Sequence, residues 1–243
     1  MSPFDDMRQP HAALDIASRH RKARKIERLL AIPAQTTPLH LLEVGTGSGG
    51  IAHYFGTNPQ QRYCVDGVDV HDNRIVTEGF RYTHVEGTTL PFATASFDIV
   101  LTNHVIEHVG DEAAQIAHLC EIRRVLKPGG IGYLAVPNRW MLIEPHFGLP
   151  LLSWLPRTWR TPYVRATGKG ERYDCEPLEM KQLEHLFEQV GLRYKNICID
   201  ALRATFDIEH EHSLTSSVLR HLPDRVLHPF LRMIPTFVYR FWH

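Results

Sequence analysis

The feature that most constrains the fold is a short segment at residues 41–50, with the sequence LLEVGTGSGG. Its apolar run predicts a buried strand, and its alternating glycines predict a tight turn into a helix that begins near Ser48. Glycine has no Cβ and tolerates positive φ, so such a loop lets a ligand approach the backbone closely. The free N–H groups and the positive dipole end of the helix face the same space. The sequence therefore predicts a site for a nucleotide-like ligand beside this loop.

Strand patterns and helix patterns alternate along most of the chain. The predicted elements are strand 39–44, helix 49–56, strand 63–69, helix 72–79, strands 82–86 and 97–102, helix 111–126, strand 131–136, helix 176–190 and strands 193–200 and 202–209. An amphipathic helix over residues 11–31 precedes them. This alternation predicts an α/β fold, a Rossmann-like doubly wound and mostly parallel seven-stranded sheet with helices on both faces.

Two regions depart from this alternation. Over residues 138–174 the periodicity vanishes while prolines, tryptophans and arginines accumulate, which predicts a lid or acceptor-binding insertion after the fifth strand. Residues 213–243 carry apolar side chains at helical spacing and predict a helical tail, although Pro229 and Pro235 interrupt it. With a helical cap over residues 1–35, the chain is predicted to form a single domain over 1–243.

Composition limits the classes of function. Lys plus Arg and Asp plus Glu number 27 each, so no net charge attracts nucleic acid, and nucleic acid is not expected as a substrate. The four cysteines form no C-x-x-C pair, and the N-terminus lacks the apolar stretch of a signal peptide. No apolar run reaches the roughly 18 residues that cross a bilayer. We expect a cytoplasmic protein whose oligomeric state stays open.

The glycines alone do not identify the ligand, because Gly45, Gly47 and Gly50 also match the G-x-G-x-x-G dinucleotide fingerprint. The segments that follow are GVDV at 67–70, EGTTLPF at 86–92, SFDIV at 96–100 and RVLKPGG at 124–130. In this order and spacing they closely resemble the class I S-adenosylmethionine-dependent methyltransferases, in the small-molecule (methyltransferase type 11-like) branch. The resemblance covers residues 39–137.

The resemblance implies S-adenosylmethionine as the cofactor and gives particular residues a role. Asp69 would accept hydrogen bonds from both ribose hydroxyls, which suits an acceptor-only carboxylate. Glu43 and the glycine loop would hold the methionine end, with Asn103 and His104 beneath it. Thr88 stands where the family commonly has an acidic residue that bonds the adenine amino group, so a hydroxyl or a backbone group must replace that contact. The cofactor set is Glu43, Gly45, Thr46, Gly47, Gly49, Asp69, Val70, Gly87, Thr88, Thr89, Asn103 and His104.

The predicted lid is placed to cover the acceptor, because ligands of open α/β sheets bind outside the carboxyl ends of the strands. We predict that His146 is a general base, since the pKa of histidine lies near operating pH, and that Glu144 orients it or binds the acceptor. The alternative is that His146 only fixes the lid. The lid aromatic residues either wall the acceptor pocket or form a separate hydrophobic cluster: Trp140, Phe147, Trp154, Tyr163 and Tyr173.

Two histidine motifs resemble metal sites. HVIEH at 104–108 matches the inverted zinc-peptidase signature, which needs a continuous helix, whereas strand 97–102 runs directly into it and Gly110 follows. EHEH at 209–212 alternates as a strand would, without an identifiable third ligand. We therefore expect no metal.

These patterns favour S-adenosylmethionine-dependent methyl transfer to a small or lipid-linked acceptor, with O-methylation as the first expectation. The alternatives are a nicotinamide-dependent oxidoreductase and a non-catalytic partner subunit that binds the cofactor. The tail and the apolar segment 149–155 also raise the expectation of peripheral membrane contact through an interfacial helix, with ordinary core packing as the alternative. The apolar positions of the tail are Leu227, Phe230, Leu231, Ile234, Phe237, Val238 and Phe241.

Overall fold

A computed structural model describes residues 15–32, 36–59, 62–209 and 222–243, and its centre is a seven-stranded sheet. The strands are β1 Leu39–Val44, β2 Tyr63–Asp69, β3 Arg81–His84, β4 Phe97–Asn103, β5 Leu126–Pro137, β8 Arg193–Asn196 and β9 Thr236–Trp242, and the separate pair β6 Ile143–Glu144 and β7 Leu149–Pro150 forms a hairpin. The spatial order is β3-β2-β1-β4-β5-β9-β8. Neighbouring strands are parallel except where β9 pairs with β5 and β8. This confirms the predicted Rossmann-like, mostly parallel sheet.

Helices cover both faces of the sheet. They are α1 Ile16–Leu30, α2 Gly50–Gly56, α3 Glu112–Val125, α4 Arg157–Ala166, α5 Met180–Gln189, α6 Cys198–Glu209 and α7 Asp224–Leu227. Leu41 packs on the face that α1, α2 and α6 cover, whereas its neighbour Leu42 packs on the face that α3 and α5 cover. Adjacent strand residues point to opposite faces, so an apolar run such as that of β1 is buried on both sides.

The predicted helix 72–79 is absent. The backbone N–H groups of Ile75 and Val76 both donate to the carbonyl of Ser48, at 3.0 and 3.3 Å, rather than to a carbonyl within the segment. Asp72 accepts a hydrogen bond from the backbone N–H of Arg74, two residues on, which is a turn arrangement. This segment therefore braces the glycine loop as an irregular connection.

The C-terminal assignments need correction. The predicted strand 202–209 is part of α6, in which Ala201 and Ala204 pack at helical spacing onto the sheet. The seventh strand is β9, within the predicted helical tail, and a Cβ at Gly132 would overlap the ring of Phe241 on this strand. Residues 210–221, which include His210 and His212 and the first part of the predicted tail, lie outside the described residues.

The apolar stripe of the tail is mostly core and not an interfacial helix. Phe237, Val238 and Phe241 are buried in β9, and Leu227 and Leu231 are buried beside the sheet. Phe230 is exposed. Alternating strand geometry and pairing on both edges explain this burial, because a central strand is covered on both faces. Over the described ranges, no helix is both long and apolar enough to cross a membrane.

The lid, residues 138–174, contains the β6–β7 hairpin, a 3-10 turn at Leu152–Trp154 and α4. Its base is fixed by buried Asn138, whose side-chain amide donates to the carbonyl of Ile234 at 2.9 Å and whose side-chain oxygen accepts from Trp140 N–H. Of the lid aromatics, Phe147, Tyr163 and Tyr173 form a separate hydrophobic cluster, whereas Trp140 and Trp154 are exposed. The lid aromatics therefore pack among themselves or face outward.

Candidate active site

A cavity of about 660 Å³ opens at the carboxyl ends of β1, β2 and β4. This volume lies in the range of sites for small-molecule ligands. Arg19 and Lys22 of α1 line one side of the cavity, and Pro145 and His146 of the lid line another. The glycine loop, the N-terminal helix and the lid therefore enclose one space at the sheet edge where open α/β sheets bind ligands.

Asp69 at the end of β2 organises the glycine loop. One carboxylate oxygen accepts a hydrogen bond from Gly47 N–H at 2.7 Å, and the other accepts from Val70 N–H at 2.7 Å. The oxygen that accepts from Val70 also accepts from His71 N–H at 3.3 Å. A carboxylate has about four lone-pair sites, so the oxygen that accepts from Gly47 keeps capacity for a further donor. Asp69 lines the cavity and can therefore accept hydroxyl donors while it fixes the loop.

The glycines of the loop are required by the turn and by packing. Gly45, Gly47 and Gly49 have φ of +80°, +53° and +82°, which side chains with a Cβ rarely adopt. A Cβ at Gly45 would overlap the side chain of Val105, and one at Gly49 would overlap the carbonyl of Val76. Neither glycine can be replaced without moving the chain beside the cavity.

Glu43 is a buried carboxyl group at the floor of the cavity. Its carboxyl accepts a hydrogen bond from Ala52 N–H at 2.9 Å. Burial raises the pKa of Glu43 to about 8, and nearby Asp69 adds to this effect, whereas the Ala52 N–H and Arg19 oppose it. At neutral pH the group is mostly protonated, and a cationic ligand beside it would favour its ionised form.

Two further buried polar atoms belong to residues on the cavity wall. The side-chain oxygens of Asn103 and Ser48 are buried and have no hydrogen-bond partner among the described residues. Buried acceptors of this kind are normally satisfied, so they point to a ligand or water with N–H or O–H groups. Together with the carboxyl groups of Glu43 and Asp69, they fit the hydroxyl, ammonium and sulfonium groups of S-adenosylmethionine.

The lid presents a histidine–carboxylate pair to the cavity. His146 Nδ1 lies 2.6 Å from Glu144 Oε1, and Glu144 Oε2 accepts from Phe147 N–H at 2.8 Å. The side chains are 10% and 1% exposed, respectively. Burial alone would lower the pKa of His146, but the hydrogen bond and charge of Glu144, with the charges of Glu107 and Asp174, hold it above its usual value. The pair has the geometry of an oriented base.

Other buried groups surround this pair. Cys175 Sγ lies 3.6 Å from His146 Nδ1 and 3.7 Å from His108 Nδ1, and burial raises the pKa of this thiol well above its usual value. His104 has a φ of +60°. Its Nδ1 atom lies 3.3 Å from Oε1 of the buried Glu107. The HVIEH motif forms a 3-10 turn at Ile106–His108 rather than an α-helix.

Among the described residues, two groups of side chains could hold a metal ion: His108, His146 and Cys175, and His104, Glu107 and His146. His146 belongs to both groups, and its Nδ1 atom pairs with Glu144 at 2.6 Å. The expectation that no metal takes part stays a prediction.

Most of the residues predicted from sequence line the cavity: Glu43, Gly45, Thr46, Gly47, Asp69, Val70, Gly87, Thr88, Asn103, His104 and His146. Gly49 and Glu144 do not line the cavity but neighbour residues that do. Thr89 is exposed and lies outside the cavity. Sequence reasoning missed Arg19 and Lys22, although their spacing of three on a basic helix places them on one face.

Comparisons with known proteins agree with this geometry. A family model described as "Methyltransferase domain" matches residues 42–134. The chain is 34% identical over 111 residues to an uncharacterized methyltransferase of Mycobacterium sp. (strain KMS), covering 42% of this chain and 40% of that protein. It is 30% identical over 128 residues to a ubiquinone biosynthesis O-methyltransferase of Roseobacter denitrificans, covering 48% of each. The chain thus spans less than half the length of these relatives.

A solved structure shows the same fold. It is Haemonchus contortus phosphoethanolamine N-methyltransferase 2 in complex with S-adenosyl-L-methionine, with a TM-score of 0.51 and 17% identity, covering 90% of this chain and 51% of that one. The cofactor of such enzymes is S-adenosylmethionine, and the acceptors on the cavity wall suit it. In these motifs, this sheet order and these similarities, the chain resembles the class I S-adenosylmethionine-dependent methyltransferases, and residues 42–134 match the methyltransferase domain family.

Proposed function

We propose that the protein transfers the methyl group of S-adenosylmethionine to a hydroxyl oxygen of a small or lipid-linked acceptor, with His146 as the general base. The observation that carries this proposal is the buried His146–Glu144 pair on the wall of the cavity that Asp69 and the glycine loop also line. A thiolate acceptor needs no base and an amine must lose its extra proton before it attacks, whereas a hydroxyl must lose its proton as it reacts, which calls for a base positioned at the acceptor.

The cofactor side of the site has a distinct task. Asp69 would hold the ribose hydroxyls, Glu43 and Asn103 would hold the methionine end, and Arg19 would supply positive charge for its carboxylate; all four residues line the cavity. When bound, S-adenosylmethionine supplies an electrophilic methyl group that is bonded to a good leaving group, the sulfonium sulfur. The protein therefore has to align the acceptor, exclude water and remove one proton.

The lid residues carry out that proton transfer. In this role Nδ1 of His146 would donate to Glu144 and Nε2 would accept the hydroxyl proton. The carboxylate of Glu144 stabilises the imidazolium that forms. The base works only when His146 is neutral, so the rate should rise with pH through the raised pKa of His146 and level off above it.

Glu144→Gln tests this role. The change removes the carboxylate that raises the pKa of His146 and offers an amide N–H to Nδ1, which favours the wrong tautomer. We expect the rising limb of the kcat profile to move to lower pH and its plateau to fall by about a hundredfold. The assay follows methyl-labelled S-adenosylmethionine with cell extract as the acceptor source, and the carbon-13 shift of the product methyl identifies the methylated atom.

Glu171→Gln is the matched control, because it makes the same change at an exposed carboxylate of the same lid. It should leave both the rising limb and the plateau of the kcat–pH profile unchanged. If Glu144→Gln lowers thermal stability but leaves the pH limb unmoved, the pair only fixes the lid. A methyl group found on nitrogen would overturn the proposed acceptor chemistry.

A further inference from the structure

The β6–β7 hairpin carries its polar and apolar side chains in an unusual orientation. Glu144 is 1% exposed and faces the protein, whereas the preceding Ile143 is 63% exposed and Leu142 is 64% exposed. In a strand at a protein surface, the apolar side chains normally face the core and the carboxylates face water. This hairpin directs its carboxylate inward to His146 and its apolar side outward.

Backbone and ring contacts join the segments that carry these exposed apolar side chains. The Leu151 N–H donates to the carbonyl of Leu142 at 2.8 Å, and the rings of Trp140 and Trp154 meet edge to face at 5.4 Å. The indole N–H of Trp154 donates to the carbonyl of Met141 at 2.9 Å. These contacts hold Trp140 and Trp154 against each other at the protein surface.

The surface extends to α4. Trp159 on this helix is 66% exposed, and its neighbour Arg160 donates hydrogen bonds to the carbonyls of Leu155 and Ser153, at 2.8 and 3.2 Å. Arg160 therefore joins α4 to the turn that carries Trp154. We name the resulting feature the lid apolar surface: Trp140, Leu142, Ile143, Leu151, Trp154 and Trp159. Connected exposed apolar surfaces of this kind mark interaction sites.

The charge of the lid indicates an anionic partner. Residues 138–174 contain six Lys or Arg residues and three Asp or Glu residues, one of which is the buried Glu144, whereas the whole chain has 27 of each sign. Arg157, Arg165, Lys169 and Arg172 are exposed, and of these Arg157 pairs with Glu176, just after the lid, at 2.9 Å. A second copy that docked face to face on this surface would bring these like charges together. Tryptophans with cationic neighbours are instead typical of segments at an anionic bilayer surface.

The lid apolar surface also adjoins the cavity. Pro145 and His146 line the cavity at the tip of the same hairpin that carries Leu142 and Ile143. The hairpin is short, and its backbone groups pair internally, as between Gly148 N–H and the carbonyl of Glu144 at 2.8 Å. Internal pairing reduces the cost of placing a segment among lipid chains.

We propose that the lid apolar surface docks on an anionic bilayer, so that the acceptor reaches His146 directly from the membrane. Only the nature of the acceptor rests on the proposed methyl transfer, since docking itself needs no turnover. The occupant is a lipid surface with anionic headgroups, held by the exposed tryptophan, leucine and isoleucine side chains and by the cationic side chains of α4 and the turn after it.

Flotation of the full chain with vesicles tests this proposal. Wild-type protein should float with vesicles of phosphatidylcholine mixed with anionic phosphatidylglycerol, and less with phosphatidylcholine alone. Leu142→Glu should weaken vesicle binding by roughly tenfold or more, since it removes an exposed leucine that would enter the bilayer and adds a negative charge that the anionic headgroups repel. Lys169→Glu should weaken binding to the anionic vesicles only. Phe230→Glu is the matched control at a similarly exposed apolar residue of the C-terminal region, and it should bind as the wild type does.

Titration with S-adenosylhomocysteine shows that each variant is folded and separates this proposal from the proposed function. Unchanged cofactor affinity with lost flotation supports docking through the lid. Failure of the wild type to float with either kind of vesicle overturns the proposal even if methyl transfer is found. Equal loss in Leu142→Glu and Phe230→Glu also overturns it. So does a wild-type dimer, detected by light scattering, that Leu142→Glu disperses without any vesicle binding.

Discussion

The cofactor side and the lid side of the cavity are built in different ways. On the cofactor side, backbone turns at the ends of β1 and β2 are fixed by one carboxylate, Asp69, through hydrogen bonds to Gly47 and Val70. On the lid side, side chains distant in sequence meet, as His146 and Cys175 do. From this difference we expect cofactor binding to depend on the sheet edge and acceptor chemistry to depend on the lid.

The largest expected effect separates the two sides. His146→Ala removes the base and should lower kcat by about a hundredfold or more, while the affinity for S-adenosylhomocysteine changes little. Steady-state kinetics and calorimetry on the same preparation check this. His185→Ala, at an exposed histidine of α5, is the control. A normal kcat at every pH would reduce His146 to fixing the lid.

The next effect lies on the cofactor side. Asp69→Ala removes a charge-assisted pair to the ribose and should cost on the order of 2–3 kcal/mol, or roughly thirty- to a hundredfold in cofactor affinity. Asp72→Ala removes an exposed carboxylate three residues away that pairs with Arg74, and it should leave the affinity unchanged. Equal affinities of the wild type and Asp69→Ala would contradict the ribose assignment.

The smallest expected effect is the release of a proton from Glu43 when the cofactor binds. The pKa of Glu43 is about 8, so the group is mostly protonated at pH 7, and a cationic cofactor should favour its ionisation. Binding should therefore release up to about one proton at pH 7, and affinity should rise with pH until Glu43 is ionised in the free protein. Calorimetry in buffers of different ionisation enthalpy measures this release, which Glu43→Gln should abolish. A release that persists in Glu43→Gln would belong to another group.

The contrast between local turns on the cofactor side and long-range contacts on the lid side also explains which features could be predicted from the sequence. The glycine loop was predictable because a turn at positive φ needs particular residues at fixed local spacing. The role of Asp69 was predicted from the family resemblance of the motifs around it. The roles of β9 and Cys175 were not predictable. Phe237 and Phe241 fit a helical or an alternating pattern equally well until the neighbouring strands β5 and β8 are known. Cys175 meets His108 and His146 across 67 and 29 residues, which no local pattern encodes.

The separation of cofactor binding from acceptor chemistry is tested most directly by a double-mutant cycle on cofactor affinity. Calorimetry would give the dissociation constant of S-adenosylhomocysteine for the wild type, Asp69→Ala, His146→Ala and the double variant. We predict that the His146 change alters it by less than about twofold in either background, while the Asp69 change weakens binding roughly thirty- to a hundredfold. A loss in His146→Ala as large as that in Asp69→Ala would contradict the account.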